Sequence, residues 1–196
     1  MSTVRYLAHV VFPRTIDFMS SDLPDAVVRE ALAALCGAVA SMERDDHVAV
    51  DVLIAFLRRS FDHVSDILVI ISLVTLDRLD AAQNGEDRLG YATDIDVGLL
   101  LSSAVGSGRA DRRTVDAAAW RLDAIRLGDL AAVGADIAES RSMATDDELI
   151  RGAVALLGSI VAVGAERAGT TARQAASDLC LAVSLPSGPG PTTKLD

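Results

Sequence analysis

His63 stands between Asp62 and Asp66, and an imidazole with two carboxylates is the residue set from which a divalent-metal site or an acid/base relay is built. A metal site needs two or three such groups converging on one point. The other histidines, His9 and His47, have no partner at ligand spacing, and a turn before Ser65 interrupts the helix that would align His63 with Asp66. The trio therefore reads as a solvated inter-helix turn. Asp94-Ile95-Asp96 reads as half of a carboxylate pair for acid/base work, yet aspartates at a helix start are accounted for equally well by capping and the macrodipole. Ser102-Ser103 and Gly106-Ser107-Gly108 suggest a nucleophile or a phosphate cradle, but no Walker lysine follows, and the Gly-Ser-Gly closes a helix instead of opening one. With no nucleophile, base or metal set in view, the expectation is a protein that is not an enzyme, with no cofactor and no metal.

The remaining residues of chemical interest read as structural. Cys36 and Cys180 lie far apart on apolar helical stripes, so they are expected to be buried, reduced thiols in an intracellular protein, cytoplasmic or nuclear. Trp120, the one tryptophan, is expected to anchor the core. The chain of 196 residues is 51% hydrophobic but only 4% aromatic, so its core must be built from Ala, Val, Leu and Ile. A formal net charge of -10 opposes a general nucleic-acid or anionic-membrane surface, because both reward clustered Lys and Arg. The expected partners are proteins or small molecules. No signal peptide is expected, since the apolar run near the start lacks a small-residue cleavage site and is interrupted by Pro13. The longest apolar runs, Ile67 to Leu76 and Gly152 to Ala165, fall short of the ~20 residues that span a membrane.

The elements that must position these residues are helices throughout. Asp22 and Pro24 open a first helix with the stripe Val28, Ala31, Leu32, Leu35, Ala38, Val39, Met42, ending near Glu43. Asp45 or Asp46 caps a second, with the stripe Val48, Val52, Leu53, Phe56, Leu57. Ser65 caps a third, apolar nearly all round, which stops at Asn84-Gly85. A helix apolar on every face belongs at the centre of a bundle. A fourth runs from about Asp94 to Ser107. After GSGRADRR come a short helix carrying Trp120 and another from about Leu127 to Ser140. Capping boxes at Thr145/Glu148 and Thr171/Gln174 open the last two, the first reaching about Arg167. The tail PSGPGPTTKLD is expected to be disordered.

In order and spacing these helices resemble a cyclin box, in particular the short single-box cyclins of the phosphate-regulator type. The residues that carry the resemblance are Val48 to Arg59, Ser65-Asp66, Leu76-Asp77-Arg78-Leu79, Asp94-Ile95-Asp96-Val97 with Leu99-Leu100, Trp120, and Leu127-Gly128-Asp129-Leu130. It covers Val27 to Arg141. The fold it implies is all-α: a cyclin-box-like five-helix bundle around a buried central helix, with extra C-terminal helices. The corresponding division is an irregular lead at 1–23, the box at 24–142, C-terminal helices packed on the same domain at 143–185, and the tail at 186–196.

The resemblance also implies a function. Such a subunit binds a cyclin-dependent protein kinase and holds its mobile helix in the active position, with no chemistry of its own. The family's gripping lysine corresponds to Gly108, with Arg109 beside it, and its glutamate to Asp129. The arginine that pairs with the buried aspartate, matched by Asp77 after Leu76, is replaced by Ala55, and Arg58 or Arg59 one turn on would take its place. The alternative that the residues leave open is an all-helical scaffold or small-ligand-binding bundle with no kinase partner.

Overall fold

The computed structural model describes residues 25–87, 102, 104–105 and 110–184, and among them every delimited element is a helix. The protein is all-α. Seven helices are bounded: α1 Asp25–Met42, α2 His47–Ser60, α3 Val64–Asp87, α4 Arg112–Arg126, α5 Leu130–Met143, α6 Asp146–Arg167 and α7 Ala172–Ser184.

The helix boundaries follow from local chemistry. The Asp46 carboxylate accepts from the Ala49 amide at 3.0 Å and starts α2, whose last turn carries Arg58 and Arg59 against the negative end of the helix. Asp111 and Asp129 cap α4 and α5 in the same way. Thr145 and Glu148 form the full reciprocal capping box of α6, with Glu148 accepting the Thr145 amide at 2.7 Å. At α7 only half of that device forms. Thr171 accepts the Gln174 amide, but the Gln174 side chain turns forward to Asp178. At the other end of α3, the helix runs through Asn84-Gly85 to Asp87, past the expected stop.

Three helices end in the same left-handed turn, in which two amides fold back on carbonyls of the last turn. Gly128 after α4 and Gly169 after α6 take the positive φ at no steric cost. After α1 that position is Asp45, at φ 57, with Asp46 N–H bonded to Ser41 O at 3.0 Å. A side chain in this region is strained relative to glycine. Asp45→Gly is therefore expected to stabilise the fold by about 0.5–1 kcal/mol, seen as a higher urea midpoint at unchanged slope.

The core is arranged around α6. This helix packs against all six of the others, and Leu149, Ile150 and every residue from Gly152 to Val161 are buried. The segment expected at the centre, Ile67 to Leu76, is buried at nine of its ten positions, Val69 being the half-buried one. Yet α3 packs mainly on α6 and α4, while α1 packs on α2, α7 and α6. Among the described residues, 146–167 thus form the helix with the most neighbours. The reason is steric: Gly152, Ala153, Ala155 and Gly158 let neighbouring backbones approach α6 closely. A Cβ built on Gly152 would lie 2.5 Å from Thr114 Oγ1 and 2.7 Å from the Thr114 carbonyl carbon of α4.

By length and composition α6 could cross a membrane, but 72% of its apolar window is buried against the other helices, as expected of a core helix. Two hydroxyls inside α3, Ser72 and Thr75, are buried and donate to the Leu68 and Ile71 carbonyls one turn back, so neither is left unbonded in the core.

Candidate functional site

The residues first singled out for chemistry do not converge. Asp62 and His63 lie exposed in the turn between α2 and α3, and Asp66 sits half-buried in the first turn of α3. Among the described residues no group of three His, Cys, Asp or Glu side chains could hold a metal ion. Asp94, Asp96, Ser103, Ser107, Gly108 and Arg109 lie outside the described residues, and Ser102 is exposed. Cys36 is fully buried on α1, and its thiol is held well above the ordinary range, chiefly by desolvation. Cys180 on α7 is half-buried, and its thiol is shifted upward for the same reason.

Of the pair expected to grip a kinase, Asp129 alone is described. Its carboxylate caps α5 by accepting the Ala132 amide at 2.9 Å, and it is exposed. Asp77 and Leu76 are buried in α3 as expected. The proposed partners of Asp77 are not core residues. Arg58 is exposed and reaches Asp147 of α6 at 3.0 Å, and Arg59 is exposed with Nε donating to Ala55 O of its own helix. Both occupy the solvent-facing end of α2, where a long cationic side chain keeps its hydration.

A buried charge pair does exist, one that the sequence reading missed. Arg121 of α4 is 1% exposed and places Nη2 2.8 Å from Asp136 Oδ2 of α5. No nitrogen of this guanidinium makes a hydrogen bond of good geometry, so the contact with Asp136 is an ion pair. Burial pulls the Arg121 pKa down and pushes that of Asp136 up, each partly offset by the other's charge. The helical phase of α4 contained the signal. Thr114, Ala118, Arg121 and Ile125 share the inward face, whereas Arg113, Asp116, Trp120, Asp123 and Leu127 line the exposed one. Trp120 is accordingly 50% exposed and no core anchor. Its size suggested burial, but its neighbours one turn away on either side are charged.

The clearest surface feature is on α2. The stripe expected to face inward was Val48, Val52, Leu53, Phe56 and Leu57, but the buried residues are Val50, Ile54 and Leu57, with Leu53 half-buried against Gly37 of α1. Val48, Val52 and Phe56 are left 75%, 60% and 36% exposed. HVAVDVLIAFL contains two apolar stripes, and α1 and α6 take the one that fits their surfaces. Ion pairs from Asp51 to Arg151 and from Arg58 to Asp147 also tie α2 to α6. Spaced four residues apart, the exposed three form a row roughly 12 Å long. The other large exposed apolar side chains among the described residues, Trp120, Leu127, Met143 and Leu181, lie on α4, α5, α7 and the turn after α4.

The structure thus defines an all-helical bundle with a tightly packed interior and an apolar helical ridge. Comparisons with protein-family models, with curated proteins and with solved structures return no match for this chain.

Proposed function

We propose that this protein is a regulatory subunit without chemistry of its own, which binds a partner protein through the exposed face of α2. The observation that carries this reading is the row Val48, Val52 and Phe56. Three large apolar side chains in register on one helix constitute a coherent patch, whereas scattered exposed apolar residues are ordinary on any surface. A row at i, i+4 and i+8 is complementary to the apolar face of another helix. Charged residues flank the row, Asp45 and Asp46 before it and Arg58 and Arg59 after it.

The class of partner comes from the resemblance to cyclin boxes, in which Val48 to Arg59 is the first box helix. That resemblance points to a cyclin-dependent protein kinase whose mobile helix is held by the bound subunit. Binding would then act by shifting the kinase population toward its active conformer, since only differential affinity moves such an equilibrium. The α2 row supports this reading, and Asp129, occupied as a cap, adds nothing to it. Affinity purification of the tagged chain from its native host, read by mass spectrometry, is expected to recover a protein kinase. A reproducible partner set containing no kinase would remove the kinase assignment.

A further inference from the structure

The apolar row on α2 has a symmetry of its own. Val48 and Phe56 stand four places on either side of Val52, and Ala49 and Ala55 three places on either side. Asp45 and Asp46 stand as far before Val52 as Arg59 and Arg58 stand after it. Outward from Val52, the two ends of this segment therefore agree in apolar character and oppose each other in charge. The inward side shares the symmetry, because Val50 and Ile54 are both buried and hold the face between them toward solvent.

A face of this kind is complementary to a second copy of itself. Two α2 helices laid antiparallel across a twofold axis at Val52 set Val48 of each copy on Phe56 of the other, and Asp45 of each toward Arg59 of the other. A parallel arrangement would set the aspartates against aspartates and the arginines against arginines, so charge selects the antiparallel one. A crossing of about +20°, common in paired helices, keeps positions at both ends of the row near their counterparts. Exposed Ala55 and half-buried Ala49, both small, let the two helices approach closely. Arg58 is held by Asp147 of α6, so Asp45 and Arg59 carry the complementarity. Both are exposed, and Arg59 is engaged through Nε with the Ala55 carbonyl of its own helix.

We infer that two copies of this chain pair through α2, antiparallel about Val52, in a weak and reversible dimer. This rests on the α2 face as the docking face proposed above, and adds that a second copy and the partner protein exclude each other from it. A row roughly 12 Å long is small for a permanent interface, which puts the dimer in the weak, transient class. Sedimentation velocity of the full chain, from micromolar to near-millimolar concentration, is expected to show a shift from monomer to dimer. Val52→Asp sets two carboxylates face to face at the axis and should stay monomeric throughout. Asp45→Lys and Arg59→Glu should each weaken pairing by roughly fivefold or more, because one change places like charges at both ends. An equimolar mixture of those two variants should form a heterodimer as tight as the parent, since opposite charges then meet at both ends. A parent that stays monomeric, a dimer unaffected by Val52→Asp, or a mixture no tighter than its components would each overturn the inference. These readouts need no partner protein, so a monomeric parent leaves the partner reading standing, and a failure to capture a kinase leaves the dimer standing.

Discussion

Gly152→Ala is expected to destabilise the fold by about 1–3 kcal/mol, although alanine is the better helix former. On an isolated helix the exchange would gain about 1 kcal/mol. Here the added methyl meets Thr114 Oγ1 at 2.5 Å, Thr114 Cβ at 2.6 Å and the Thr114 carbonyl carbon at 2.7 Å. The hydroxyl could rotate away, but the backbone carbon moves only if α4 moves. Because α4 also carries the Arg121 pair and packs on α5 and α3, displacing it disturbs three contacts together. Gly134 supplies the control: it is exposed on α5, and a Cβ there meets nothing within 4 Å. Gly134→Ala should therefore raise stability by about 0.5–1 kcal/mol. Urea unfolding of the two variants beside the parent checks the pair, and a neutral Gly152→Ala would mean that α4 and α6 are not in close contact.

Asp136→Ala is expected to have the second large effect, a loss of about 3–5 kcal/mol. The cost comes from what is left behind. With its carboxylate partner gone, Arg121 keeps a guanidinium that is 1% exposed and has no other acceptor in reach. Replacing both charges is a different matter. An Arg121→Met, Asp136→Leu double variant removes the desolvation cost together with the attraction, and is expected within about 1 kcal/mol of the parent. The cycle of single and double variants reports the coupling directly. A small loss in Asp136→Ala would show that water reaches Arg121.

How much of this was legible in the sequence depended on the kind of signal. Some helix starts were read from local chemistry: the cap at Asp46 and the box at Thr145 and Glu148 formed as their residue types required, whereas Ser65, expected to cap α3, lies inside its first turn because the helix already starts at Val64. Burial of Ile67 to Leu76 was legible, but the equal burial of α6 was not. Ile67 to Leu76 and Gly152 to Ala165 are both apolar nearly all round, so periodicity makes either a central helix; the small residues of α6, which admit neighbours from every side, decided between them. The phase of α2 was undetermined for a related reason, since its sequence offers two apolar stripes and only the surfaces of α1 and α6 select one. Trp120 was misplaced and Arg121 passed over because residue type was weighed above position: the tryptophan lies on the charged face of α4 and the arginine on the apolar one.

The central claim is that the exposed row on α2 is a docking face, and a charge placed in its middle tests it. Val52 is 60% exposed and contributes little to the core, so Val52→Asp should leave the Tm of the free protein within a few degrees of the parent. Binding to the partner recovered by affinity purification is then measured for parent and variant in the same buffer. A loss of roughly tenfold or more in affinity at unchanged Tm is the predicted result, because an aspartate buried in an apolar helix contact carries an uncompensated charge. Unchanged affinity in a variant of unchanged stability would contradict the account.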